Sequence, residues 1–183
     1  MEVAGGGAPP IRRILVATDL SEASRRAVEL AGWLAARVGA ELVVLSVIDT
    51  SALEAQGVDI VPHMRLAELV AGMERALDPA LAEFVRQSAL PQQLRLRLCT
   101  RRGPAARTIV QGAAELGADL IVIGTHGRSG LSRLVFGSVA EKVLRLAPVP
   151  VLTVQPAPGS GARAGEQQAS GAAEPACAPE DRD

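Results

Sequence analysis

Aromatic residues are nearly missing from this sequence. It has no tyrosine, one tryptophan and two phenylalanines, together 2% of the chain. Proteins that hold single-stranded nucleic acid stack bases on aromatic platforms, and a flavodoxin stacks aromatics on its flavin, so neither class has its means here. Lysine is equally scarce, Lys142 being the only one. That excludes a Walker A loop, and any Schiff-base mechanism relying on another lysine. Cys99 and Cys177 are the only cysteines, too few for a disulfide framework, and a reducing cytosol is the default. His63 and His126 are the only histidines, and no Cys/His cluster suggests a metal site. A net charge of −1 supplies no global basic field for nucleic acid or anionic membrane. The N-terminal stretch MEVAGGGAPP lacks the apolar core of a signal peptide, and no apolar run reaches membrane-spanning length. The expectation is a soluble, cytoplasmic protein with neither nucleic acid nor membrane as partner.

What is present is an alternation of apolar segments. The 183 residues, 48% hydrophobic and 21% charged, suit one well-buried domain. Residues 1–10 are Gly/Pro-rich and 155–183 are rich in Pro, Gly, Ala, Ser and acidic residues, so both are expected to be disordered, leaving 11–154 as the domain. Strands are predicted at Ile11–Ala17, Glu41–Ile48, Gln92–Cys99, Leu120–Ile123 and Val149–Val154. The first, second and fourth are nearly continuous in apolar residues, as strands covered on both faces are. In the third, Leu94, Leu96 and Leu98 alternate with Arg95 and Arg97, which fits an edge strand with one wet side.

Helical stripes lie between the strands. Ser21 is the predicted N-cap of a helix to Val38, with Ala23, Ala27, Leu30, Ala31, Leu34, Ala35 and Val38 inward and Gly39 ending it. A stripe after Pro62 runs from Leu66 to Val85, and Asp78-Pro79 predicts a kink or a restart with Asp78 as cap. Pro104 to Leu116 forms a third helix with Ile109, Val110, Ala113 and Ala114 inward. In the fourth, Ser138-Val139-Ala140-Glu141 reads as a capping box, with Ala140, Val143, Leu144 and Ala147 inward.

This β-α alternation predicts an α/β fold: a single doubly wound, Rossmann-like, five-stranded parallel sheet in the order 3-2-1-4-5, with helices on both faces. In that order the topological switch point lies between strands one and four, where ligands sit at the strands' C-terminal ends. Those ends are Thr18-Asp19 and the segment that begins at Gly124. There Gly124, Gly127 and Gly137-Ser138 are spaced as Gly-x2-Gly-x9-Gly-Ser, between an apolar strand and a helix start. Such a loop can bring backbone amides against phosphate.

With these residues in view, the chain resembles the universal stress protein family, in its nucleotide-binding branch. The likeness spans 11–154 and is carried by ATDLSEAS after strand one, LSVID at the end of strand two, GADLIVIGTHGRSGLSRLVFGSVAEKVLR, and the closing PVPVLTV. The resemblance implies ATP as the cofactor; a magnesium ion can ride on its phosphates, and no metal-ligating residue is assigned. It also implies a homodimer formed through the last strand (Val149 to Val154), and a role in stress response rather than vigorous catalysis. By resemblance, Ala17, Thr18, Asp19 and Val47 line the adenosine side. Gly124, Thr125, His126, Gly127, Arg128, Ser129 and Gly130, with Gly137, Ser138 and Val139, hold ribose and phosphates. Ala17 stands where some relatives have proline, and nothing in the family pattern explains the C-terminal tail.

Each of these residues also has a plainer reading. The glycines serve turns, Ser138 caps a helix, Asp19 caps beside Ser21, and Arg128 and Arg133 solvate a surface. His126 has no partner carboxylate or nucleophile in sight, so no catalytic residue is assigned. The alternative function is a small nucleotide-dependent enzyme of the same architecture, nucleotidyl-transferring or ATP-pyrophosphatase-like. It would need a substrate domain or a further motif, for which the ordered chain has no room.

Overall fold

Strand β1 (Arg13–Thr18) is followed by helix α1 (Glu22–Val38) and β2 (Glu41–Asp49). Next come α2 (His63–Arg86), β3 (Arg95–Gly103), α3 (Ala105–Glu115), β4 (Leu120–Gly124), α4 (Ser138–Leu146) and β5 (Val151–Val154). The computed structural model describes residues 10–49, 51, 63–125 and 137–155, the side chains of 63–70 and 74 excepted. The expected terminal tails and Pro62 lie outside the described residues, apart from Pro10 and Gln155 at their edges.

All strand pairs are parallel, in the predicted order β3-β2-β1-β4-β5. The three central strands are apolar on both sides because both sides are covered. Even-numbered residues of β1 (Ile14, Val16), β2 (Leu42, Val44) and β4 (Leu120, Val122) pack with Ala27, Val28, Ala31 and Ala35 of α1 and Leu81, Phe84 and Val85 of α2. Their neighbours Leu15, Ala17, Leu45, Ile121 and Ile123 pack with Ala106, Ile109 and Ala113 of α3 and Ala140 and Val143 of α4. Full burial of each such aliphatic side chain contributes about 1.5–3 kcal/mol, which makes this double layer the main source of stability.

The helices differ from the sequence reading in phase and continuity. Ser21 caps α1 as predicted: its Oγ accepts from Ser24 N at 3.2 Å, and Gly39 closes the helix at φ 69°. The buried face, however, is Ser24, Ala27, Val28, Ala31, Gly32 and Ala35, while Leu30 and Val38 are exposed. The shift follows from a close approach at Gly32, where an added Cβ would lie 2.4 Å from Leu90 Cδ2 in the α2–β3 connection. Arg25 strengthens the same contact, stacking 4.4 Å from the Phe84 ring centroid and donating to Phe84 O.

Helix α2 runs on through Pro79 without a restart, and Asp78 is no cap: its Oδ1 accepts from Thr100 Oγ1 of β3 at 2.6 Å. Burial of Leu81, Phe84 and Val85 just beyond the proline anchors the continuation against the sheet. In α3, Ala114 faces outward, and Ala106, Thr108 and Gly112 join the buried side.

Strand β3 lies at an edge, as its alternation implied, but pairs with β2 over Arg95–Gly103, later in the chain than expected. Leu96 and Leu98 stay exposed because an edge strand has neighbours on one side only. Gly103 ends it at φ 133°, a conformation that only glycine adopts readily, and a Cβ there would lie 2.8 Å from Thr108 Oγ1.

Candidate functional site

The site begins where β1 stops. Buried Thr18 and Ser24 share a 2.7 Å hydroxyl–hydroxyl hydrogen bond, and Leu20 N donates to Thr18 Oγ1 at 3.0 Å. Leu20 has φ 62°, and among the described residues it is the only non-glycine with positive φ. Such a conformation costs roughly 1–3 kcal/mol and persists where the surroundings enforce it. Here it lets the chain turn from strand to helix within three residues. Asp19 pins the turn, its Oδ1 accepting from Ser21 N at 3.1 Å and from Ser21 Oγ at 2.5 Å. The capping residue is therefore Ser21, with Asp19 bracing it from the lip of the site.

The opposite wall is the β4–α4 junction. Thr125 N donates to Val154 O at 2.9 Å, tying the end of β4 to β5, and Gly137 N donates to Thr125 O at 2.7 Å. The α4 start thus lies directly against the strand end. A Cβ on Gly137 would sit 3.2 Å from Thr125 O, so a side chain there would force the two apart. Gly137, with no side-chain capping bond, occupies the N-cap, and Ser138 is the first helical residue. This corrects the capping-box reading. The backbone of Gly137 makes the junction, with its O accepting from Glu141 N, and the Ser138 hydroxyl takes no part in capping. The core stripe changes too: Ala140 and Val143 are buried, whereas Leu144 is exposed. The first amides of a helix have no acceptor within it, so the start of α4 presents donors and a positive dipole end.

Between these walls lies a cleft of about 360 Å³, within the range of small-molecule sites. It brings together Ala17, Thr18, Asp19, Val47, Gly124, Thr125, Gly137, Ser138 and Val139, every candidate that falls within the described residues. His126, Gly127, Arg128, Ser129 and Gly130, with Arg133, lie outside them. The cleft also takes in residues that sequence reasoning missed: Ser24 and Leu45, Asp49 at the end of β2, Ala105 and Ile109 of α3, and Ile123 and Ala140. Asp49 was within reach, because the matched segment LSVID ends on it. Ala105 and Ile109 carry no chemical signal, and only the return of α3 across the sheet places them here.

Chemically the cleft is divided. Ala17, Leu45, Val47, Ile109 and Ile123 form an apolar floor, two carboxylates (Asp19 and Asp49) stand at the β1 and β2 ends, and the α4 amides stand at the other. A flat apolar ring with hydrogen-bonding edges suits the first part, and an anionic group suits the second.

The sequence profile described as the universal stress protein family matches residues 10–155. The chain belongs to the universal stress protein family. Among its relatives, a universal stress protein of Methanocaldococcus jannaschii is 31% identical over 144 residues, covering 79% of this chain and 82% of the relative. The universal stress protein YxiE of Bacillus subtilis is 32% identical over 148 residues, covering 78% and 98%. Among solved structures, the universal stress protein UspA from Lactobacillus plantarum superposes with a TM-score of 0.61 at 28% identity, covering 80% of this chain and 99% of that one. A universal stress protein solved in complex with cAMP superposes at 0.53 with 25% identity, covering 79% and 97%. This universal stress protein therefore shares its fold with a relative that holds a nucleotide. Among its described residues, no helix is long and apolar enough to cross a membrane, and no group of three or more His, Cys, Asp or Glu could hold a metal ion.

Proposed function

We propose that this universal stress protein binds ATP in the switch-point cleft and acts as a nucleotide-responsive regulator in the stress response, with at most slow hydrolysis. The observation that carries this reading is the convergence of Asp19, Val47, Gly124 and Gly137-Ser138, far apart in sequence, on one cleft at the C-terminal ends of β1 and β4. Val47, Ile109 and Ala17 would pack against the adenine, Asp19 and Asp49 would accept hydrogen bonds from ribose hydroxyls or the adenine amine, and the α4 amides would receive phosphate. Magnesium would ride on the phosphates, offsetting their charge. The described lining holds carboxylates, hydroxyls and backbone but neither lysine nor histidine, which suits binding better than rapid phosphoryl transfer. Mass spectrometry of small molecules released from the freshly purified, denatured protein should detect ATP or its hydrolysis product ADP. Protein that carries no nucleotide and binds no added ATP would refute the reading.

The same reading includes a homodimer through β5. Among the described residues that strand pairs with β4 alone, Ile121 to Gly124 against Val151 to Val154, and no other described strand lies along its outer edge, beside half-buried Val151 and Leu152. Pairing with a symmetry-related β5 would give that edge a neighbouring strand and cover the apolar side chains. Light scattering at micromolar concentration should give twice the monomer mass; a monomer throughout that range would count against it.

A further inference from the structure

The apolar stripe of α4 continues past what a single chain covers. Ala140 and Val143 are buried and Ala147 is half-buried, but Leu144, which belongs to the same stripe, is 42% exposed. The direction in which it points follows from the hand of the fold. Both α1 and α4 run back from the C-terminal end of one strand to the start of the next, and each residue advances about 100° around a helix. In a right-handed crossover, the residue after an inward one projects towards the strand that follows. On α1 this holds for Gly32, which follows buried Ala31 and faces Leu90 on the α2 side, the direction of β2. On α4, Leu144 follows buried Val143 and the next strand is β5, so Leu144 projects on the β5 side of the helix. Val139, on the opposite flank, lines the switch-point cleft with Ala105 and Ile109 of α3.

We propose that the flank of α4 bearing Leu144 is an interface between two copies of this chain, the two helices packing against each other above the paired β5 strands. This rests on the β5 homodimer read above and adds a second layer of contact on one face of the sheet only. Helix α4 lies over β4 and β5: Ala140 and Val143 share a core with Ile121 and Ile123, and the helix touches β5. Strands in a sheet are about 4.8 Å apart, so pairing β5 with its mate brings the two α4 axes to about 10 Å, the spacing of packed helices. Helix α1, on the other face, lies over β1 and β4. The same strand spacing separates its two copies by about 19 Å, too far to touch. The seam has an apolar centre and a polar rim, as interfaces do. Leu144 stands on the face where Val149 and Val151 are half-buried, and Glu141 and Arg145, paired at 4.0 Å, stand on the solvent side.

The test is sedimentation velocity of the full chain at micromolar concentration, with two matched variants. Leu144→Arg should weaken the dimer roughly hundredfold, because each association then brings two unpaired guanidiniums into the seam. Leu30→Arg, on α1, should leave the dimer as tight as in the parent. Leu144 and Leu30 are similarly exposed in the single chain, at 42% and 39%, and a cation suits the last turn of α4, so both variants should keep the parent's circular dichroism spectrum. A dimer as tight in Leu144→Arg as in the parent would overturn this interface and leave the β5 pairing in place. Equal weakening by both variants would also overturn it, since α1 lies out of reach of its mate. A parent that is monomeric throughout the range would remove the β5 homodimer and this seam together.

Discussion

Replacing Gly124 with valine is expected to weaken ATP binding roughly hundredfold, about 2.7 kcal/mol. Gly124 is the last residue of β4, lines the switch-point cleft, and is paired with Val154 in β5. A phosphate bound to backbone amides must approach within hydrogen-bonding distance of the main chain, and glycine permits this because nothing projects from its Cα. Valine adds a branched side chain at the cleft wall. It is also a favourable strand residue, so pairing with Val154 should survive. Binding and folding should thus separate: titration calorimetry should show the loss, while the far-ultraviolet circular dichroism spectrum stays that of the parent. Equal ATP affinity in the parent and the variant would remove Gly124 from the site.

Leu45→Ala should have the largest effect on stability, about 3 kcal/mol. Leu45 is fully buried in the layer beneath α3 and α4, and in the sheet it is flanked by Ala17 of β1 and Cys99 of β3. Its Cδ2 lies where a Cβ on Gly112 would come within 3.3 Å, so α3 rests directly on it. Truncating a buried leucine to alanine costs roughly 2–5 kcal/mol, depending on how far the surroundings collapse. Because Leu45 also forms part of the cleft floor, solvent can reach some of the vacated volume, which places the expectation in the lower half of that range. Urea unfolding should show a lower midpoint with an unchanged slope. A loss below about 1 kcal/mol would mean that α3 does not rest on β2 as described.

Much of the route from residues to site was legible. Continuous apolar runs at Ile14–Val16 and Leu42–Leu45 identified strands covered on both faces, and arginines alternating with leucines marked β3 as an edge. Together with the β-α alternation, those readings led to the sheet order and its switch point. The glycine spacing then fell at that point, and of its residues Gly124, Gly137 and Ser138 line the cleft. Less legible was the part played by each. Ser138 has a side chain suited to capping, yet the helix starts one residue earlier, because Gly137 alone can press its backbone against Thr125 O. Ala105 and Ile109 enter the site through packing, and nothing in their chemistry distinguishes them from other apolar helix residues.

By itself, then, the sequence determined the alternation of strands and helices, the strand order, and the place where β1 and the glycine segment would meet. These follow from local periodicity and chain connectivity, which are properties of neighbouring residues. Only the tertiary structure decided which way each helix turns, as with Leu30 and Val38 outward on α1 while Ser24 and Gly32 face in. It also decided that α2 would pass through Pro79 without a restart. The physical reason is common to these cases. Periodicity shows that a helix or strand has an apolar side, but which atoms cover that side depends on elements distant in the chain, and their closest approaches set the rotation.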